Sequence, residues 1–487
     1  IFPVSSFARS VGASNTDNSP QWFDNGVFVS KGDSLFVFFA DGRSKTLNGS
    51  GFLSTGAGNF LPTFDAAGPY VIGVKDSVVS IAKLIDANAD SVYESVTAAT
   101  LNLHKKIIAP PVVDKFLVLA AEDGTLNYVD IKTAAVASVW KPSNESARMV
   151  TVVRAASGTN PIIALTPSAI YNDLAGSSYS FGHPVSGYAV SGSAFVAVLD
   201  TLNGDCYYFS QSLSFMRRVS IKPWLGNASA PIVLDLDLDG SEDVVFTCGN
   251  KIIALNTNGV MLDGFPATLQ SGSGGPMAAS AQLLAADLNN DQQYELVAVL
   301  ENGVLNVISS RGKILTEFSS AILDASNTTP ALLQNLAGGN LLLVCSAPSG
   351  AVKAWQIANP GTSSLLAWPQ RFRDAQHSSA SKKFQGITAP ISSENFPKTR
   401  AYNWPNPVYG NSTQIRFYVA RDANVTIRIY DVAGTKVTEL YGTGVGGSDN
   451  EMTWDVTGIQ TGIYLARIEA SGSGFADAAV VKIAVVK

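Results

Sequence analysis

Charge is scarce in this chain. Only 15% of its 487 residues are Asp, Glu, Lys or Arg, and 39 acidic side chains outnumber 33 basic ones. No basic field is available to gather phosphates, which excludes nucleic-acid binding as a function class. Long apolar runs are missing too. Strand-like cores such as Phe116 to Ala121 run to about six residues, against the roughly 18 that a spanning helix needs, so no membrane span is expected. The three histidines, His104, His183 and His377, are too far apart and too poor in neighbouring ligand types for a zinc site, and read as surface or loop positions. The three cysteines are an odd count, which on a secreted chain would leave one thiol over. Cys206, Cys248 and Cys345 each fall in apolar, strand-like slots and are read as buried small hydrophobes. A Gly-x-Ser-x-Gly elbow and a His/Asp pairing are both lacking, which removes the usual signature of a nucleophilic enzyme.

What the chain does have is glycine, proline and apolar residues: 42 Gly, 22 Pro and 46% hydrophobic side chains. That mixture suits many short strands joined by tight turns around a large core. Three stretches stand out: Asp86-x-Asn88-x-Asp90-x-x-x-Glu94, Asp235-x-Asp237-x-Asp239-x-x-x-Asp243 and Asp287-x-Asn289-x-Asp291-x-x-x-Glu295. Oxygen ligands at alternating positions of a tight loop, closed by a further carboxylate, are what a hard cation such as calcium requires. The spacing is not that of an EF-hand: Gly240 alone answers its glycine, and no helical periodicity flanks any copy. Instead a strand, a tight turn and a second strand are expected after the loops. Asn302-Gly303 separates two β-rich runs after Glu295, and Asp123-Gly124 does so after Phe116.

This unit resembles the FG-GAP or VCBS repeat, in which an Asp-rich calcium loop precedes a strand pair and each unit makes one propeller blade. Blades are expected to begin near Val27, Tyr70, Ile108, Val150, Val185, Pro231, Ala279 and Pro330, at intervals of about 35 to 50 residues. The unit at Pro330 has Leu332, Gln334 and Leu336 where ligands would stand, so no metal is expected there. Ala367-Trp368-Pro369-Gln-Arg-Phe372-Arg-Asp374-Ala-Gln-His377 looks like the segment that closes secreted propellers of this family, with one extra residue between Pro369 and Phe372.

From Asn359 to Arg400 the chain turns irregular and rich in Pro, Ser, Gly, Lys and Gln. Beyond it, Asn403-Trp-Pro-Asn-Pro407, the turn Tyr430-Asp431-x-x-Gly434, Trp454-Asp455 and Gly462-x-Tyr464 punctuate alternating runs of a small β-sandwich. These motifs resemble the type IX secretion sorting domain, a relative of the FlgD-like immunoglobulin fold. The expectation is an all-β chain: a seven- or eight-bladed β-propeller at 1–375, a linker at 376–399 and an immunoglobulin-like sandwich at 400–487. The resemblance implies export by the type IX machinery to the outside or outer surface of a Gram-negative cell. Ile1-Phe-Pro-Val-Ser-Ser lacks a basic, apolar leader, so a signal peptide is expected to have preceded it.

For the propeller two readings stand. One is a calcium-stabilised binding, adhesion or scaffolding module whose partner is a surface protein or glycan; the other is a polysaccharide-active, lyase-like enzyme. A sugar-binding face would draw on Trp22, Trp140, Trp224 or Trp355, although each residue of this type is more often core.

Overall fold

The computed structural model describes residues 2–3, 9–10, 20–23, 26–31, 34–39, 43–47, 59–65, 68–86, 95–113, 115–142, 151–154, 161–222, 228–272, 275–289, 293–316, 318, 329–334, 341–346, 351–357, 366–374, 377–381, 396, 398, 401–404, 406–419, 421–444, 448–472 and 475–486. The regular structure among them is strand, and no helix is long and apolar enough to cross a membrane. The chain divides into two compact units: Ile1–Leu236 with Glu242–Gln385, and Asp237–Ser241 with Gly386–Lys487.

The described strands of the first unit form eight small antiparallel sheets. Their first strands are Gln21–Phe23, Asn59–Asp65, Val112–Val113, Thr151–Arg154, Gly187–Ser191, Ile232–Leu234, Leu284–Ala286 and Thr329–Gln334. In the first six sheets the strands follow one another in chain order. The last two borrow. The seventh takes Leu366–Trp368 alongside Leu284–Ala286, and the eighth takes the N-terminal Phe2–Pro3 and Arg9–Ser10 alongside Ala351–Ile357.

Burial falls towards the last strand, and the sequence follows it. In the fifth sheet Phe195–Asp200 is wholly buried, whereas the outermost strand, Phe215–Ser220, carries Arg217 and Arg218 and is largely exposed. Hairpins form where the turn residues direct them. Gly303 adopts φ 79°, a left-handed conformation that an L side chain disfavours, and its N–H donates to the Leu300 carbonyl to close the turn after Glu295–Val299.

Neighbouring sheets share apolar clusters. Ile72, Leu119 and Val129 join the second to the third, Ala120 and Ile162 the third to the fourth, and Leu165 and Phe209 the fourth to the fifth. Leu284 and Trp355 join the seventh to the eighth, while Val27, Phe38, Val344 and Val352 join the eighth back to the first. Cys206, Cys248 and Cys345 are buried in strands as expected, and burial pushes the Cys206 thiol up to about 12.

The segment after Trp368 touches the first strands of several sheets or the residues leading into them. The Phe372 N–H donates to Gln282 Oε1 at 3.0 Å, and His377 Nδ1 lies 3.1 Å from the Pro111 carbonyl. The Ser191 N–H donates to the Ser379 carbonyl, and the Ser381 N–H donates back to Ser191. Phe372, Arg373, His377 and Ser379 all have positive φ, a run of backbone conformations that persists because these contacts hold it from several sides. His377 therefore lies in an irregular segment, as a loop position requires, but is buried there and is not a surface residue.

The second unit is a two-sheet sandwich. Tyr402–Trp404, Ser412–Val419 and Ser448–Asp455 make one sheet; Lys436–Gly444, Ala423–Asp431, Gly462–Gly472 and Phe475–Val485 make the other. Period-2 alternation decides the faces: Val425, Ile427 and Ile429 point into the core, while Asn424, Thr426 and Arg428 point away. Trp454 packs edge-on to Tyr464 at 5.4 Å, and the Tyr464 hydroxyl donates to the Gln460 carbonyl. Asp431 Oδ1 accepts the N–H groups of Ala433 and Thr435, which fixes the Tyr-Asp-x-x-Gly turn. Asn406 straddles the last strand, accepting from the Ala484 N–H and donating to the Lys482 carbonyl.

Candidate metal centre

Two of the three acidic loops occupy the same place in their sheets. Ile232–Leu234 and Asp243–Cys248 pair with Leu234 opposite Asp243, and Leu284–Ala286 and Glu295–Val299 pair with Ala286 opposite Glu295. Each loop therefore links the first strand of a sheet to the second and ends on the carboxylate that begins the second strand. That carboxylate is buried in both, Asp243 at 0% and Glu295 at 2% exposure. It also holds the loop: the Leu236 N–H donates to Asp243 Oδ2 at 2.9 Å, and the Leu288 N–H donates to Glu295 Oε2 at 2.8 Å.

Within the 235–243 loop, Leu236 and Leu238 turn inward and are buried while the odd-numbered residues carry the carboxylates. Leu238 takes φ 59° and Gly240 φ 91°, so the backbone coils tightly. The Asp239 N–H donates to Asp237 Oδ1 at 3.2 Å and the Ser241 N–H to Asp239 Oδ1 at 2.7 Å. Carboxylate oxygens of Asp235, Asp237 and Asp239 then lie within 4.8 Å of one another. Two oxygens bound to one calcium at about 2.4 Å can be no further apart than about 4.8 Å, so this spacing and this all-oxygen donor set fit a hard divalent cation.

The 287–295 loop is described only in part. Asp287 is buried, and the Asn289 amide reaches Glu295 Oε1 at 3.4 Å, while Asp291 lies outside the described residues. Tyr294, just before Glu295, has its phenol pushed well above its usual range, chiefly by burial and further by the negative charges of Asp235 and Asp287. Both loops thus lie within electrostatic reach of one tyrosine.

The first loop differs. Val78–Ile85 and Ser95–Asn102 are the third and fourth strands of their sheet, paired with Ile85 opposite Ser95, so residues 86–94 join an outer hairpin. The expectation that a hairpin of the same sheet follows each loop fails here: only the last strand follows. Asp86 is half-buried at the end of Val78–Ile85; Asn88, Asp90 and Glu94 lie outside the described residues.

Glu242 is a residue that spacing did not single out. It is buried beside Asp243, and its Oε2 accepts the Ser193 N–H at 2.5 Å and the Ser193 hydroxyl at 2.7 Å, while its Oε1 accepts the Ser381 hydroxyl. It ties the start of Asp243–Cys248 to the fifth sheet and to the crossing segment. An acidic residue inside the motif, just before its last carboxylate, is its only sequence signal.

Residues 403–482 match the family model described as the secretion system C-terminal sorting domain. The sandwich is therefore a sorting domain, which indicates export by the type IX secretion system and an extracellular or cell-surface protein. No curated protein matches the chain. Among solved structures it is similar to the computationally designed Ika8 protein, at 13% identity and a TM-score of 0.47, over 72% of this chain and 100% of that one. It is also similar to Sqt1 of Saccharomyces cerevisiae, at 12% identity and a TM-score of 0.48, over 72% of this chain and 98% of that one.

Proposed function

We propose that the first unit is an eight-bladed propeller of FG-GAP or VCBS type, stiffened by calcium in its acidic loops, and that it serves as a secreted binding, adhesion or scaffolding module. The convergence of Asp235, Asp237 and Asp239 carries this reading. Three like charges at that spacing repel strongly unless a cation compensates them. Repetition of the anchoring hydrogen bond at Leu288 and Glu295 supports a second calcium in the neighbouring blade. Ring closure draws support from the apolar cluster that links the first and eighth sheets and from the N-terminal strand that completes the eighth.

A binding role fits better than a lyase-like enzyme. Phe372, His377, Ser379 and Ser381 bond to the first strands of the third, fifth and seventh sheets or to the residues leading into them, where a propeller's channel chemistry would sit. The segment's histidine, His377, is buried against a carbonyl. The test is calorimetric unfolding of the full chain with calcium and with a chelator. A ligand at a thousand times its dissociation constant adds about 4 kcal/mol per site, so the melting temperature should fall clearly on chelation. An unchanged melting temperature would remove the calcium reading.

A further inference from the structure

A cavity of about 440 Å³ opens between the third and fourth sheets, away from the acidic loops. Its walls are aromatic. Phe116, Tyr128 and Trp140 line it, with Tyr128 meeting Phe116 edge-on at a centroid distance of 6.5 Å. Strand register explains why they share a face. Val118, Tyr128 and Ser138 stand opposite one another across three strands, and Leu126 pairs with Trp140 one row along.

Across the cavity Asp173 is held by both oxygens. Its Oδ1 accepts the Ile162 N–H at 2.7 Å and its Oδ2 accepts the Tyr128 hydroxyl at 2.6 Å. Each carboxylate oxygen can accept a further hydrogen bond, so the group is aimed without being used up. Three donors remain at the rim. Among the described residues the Lys115 ammonium, the Ser138 hydroxyl and the Trp140 indole N–H make no hydrogen bond or ion pair, and the only contact of Lys115's charge is with the Phe116 ring at 5.5 Å.

We infer that this cavity binds a pyranose ring of a glycan. Small-molecule sites combine apolar walls with a few convergent polar groups, in cavities of about 300–1,000 Å³. An apolar ligand would leave the three donors without an acceptor in the cavity, and a small ion would leave the aromatic walls unused. A sugar ring meets both, with an apolar C–H face for Trp140 and Tyr128 and equatorial hydroxyls for Asp173, Lys115 and Ser138. The inference rests on the binding-module reading and names its ligand class and its site.

The test is titration calorimetry of the full chain, in calcium, against a panel of neutral, N-acetylated and uronic-acid oligosaccharides. At least one member should bind, with quenching of tryptophan fluorescence. Trp140→Ala should weaken binding by about tenfold or more. Because Trp140 also packs on the neighbouring cluster, the exposed Lys115→Ala is the second variant, expected to weaken binding several-fold with unchanged melting. Absence of binding at millimolar sugar, or binding that both variants leave intact, overturns the assignment. Calcium-dependent melting is read separately, so a failed sugar site and a failed calcium reading are distinguishable.

Discussion

The main-chain N–H of Leu236 donates to Oδ2 of Asp243 across 2.9 Å, joining the second and ninth positions of one acidic loop. Asp243 is thus a structural closure of the loop as well as a candidate ligand, while Asp239, at the exposed tip, accepts only the Ser241 N–H two residues on and does not span the loop.

The two residues are therefore expected to respond differently. Asp239→Asn should lower the melting temperature in calcium and leave it nearly unchanged in chelator. Asp243→Ala should destabilise in both, by about 1–3 kcal/mol in chelator, because the buried Leu236 N–H loses its acceptor. Urea denaturation of both variants with and without calcium checks this. Equal losses in chelator would mean that the ninth position does not hold the loop.

The crossing segment supplies a pH dependence. The largest cause is burial: it pulls His377 down from 6.5 to about 3, with Arg371 adding to the fall and Asp374 and the Pro111 carbonyl opposing it. The folded state therefore keeps this ring neutral where the unfolded chain protonates it. Its contribution is fully present above pH 6.5 and is lost as pH falls towards 3, at roughly 1.4 kcal/mol per pH unit. His377→Gln should flatten the stability curve across that window. Parallel curves for the two proteins would show that the ring is reached by solvent.

Glu242 is expected to govern how firmly that segment is held. Glu242→Ala leaves the Ser193 N–H and the Ser193 and Ser381 hydroxyls without their acceptor, a loss of about 2–4 kcal/mol for a buried charged acceptor. Amide exchange at Ser381, whose N–H donates to Ser191, should quicken more than exchange in Phe195–Asp200. Uniform quickening of both would mean global destabilisation rather than release of the segment.

Much of this architecture was readable because local rules acted alone. Alternation in Ala423–Asp431 set the faces of the sandwich, and Asn302-Gly303 set a hairpin whose partners are adjacent in the chain. Pairings over hundreds of residues were not readable: nothing in Phe2–Pro3 names Gln356 and Trp355 as its partners, since period-2 alternation defines a face and not a neighbour. The first strand Asn59–Asp65 escaped notice because Pro62 and its polar ends weaken the strand signal. The acidic loops showed their ligand types plainly, but whether a loop serves an inner or an outer hairpin depends on which strands pair. The first loop, between the third and fourth strands of its sheet, differs from the other two for that reason.

The sorting domain gives the last expectation. Its core, including Phe417, Ile427, Trp454 and Ile483, is a cluster drawn from residues 396–485. Deleting residues 400–487 should therefore leave the sheets of the first unit folded, yet hold the protein in the periplasm of a host with type IX machinery. Fusing the same residues to an unrelated exported protein should carry that protein to the cell surface. A docking module for a neighbouring subunit would instead let the deleted chain leave the cell and fail only in assembly. Wild-type amounts of the deleted protein outside the cell would overturn the sorting role, and the fusion experiment guards against a deletion that is retained merely because it misfolds.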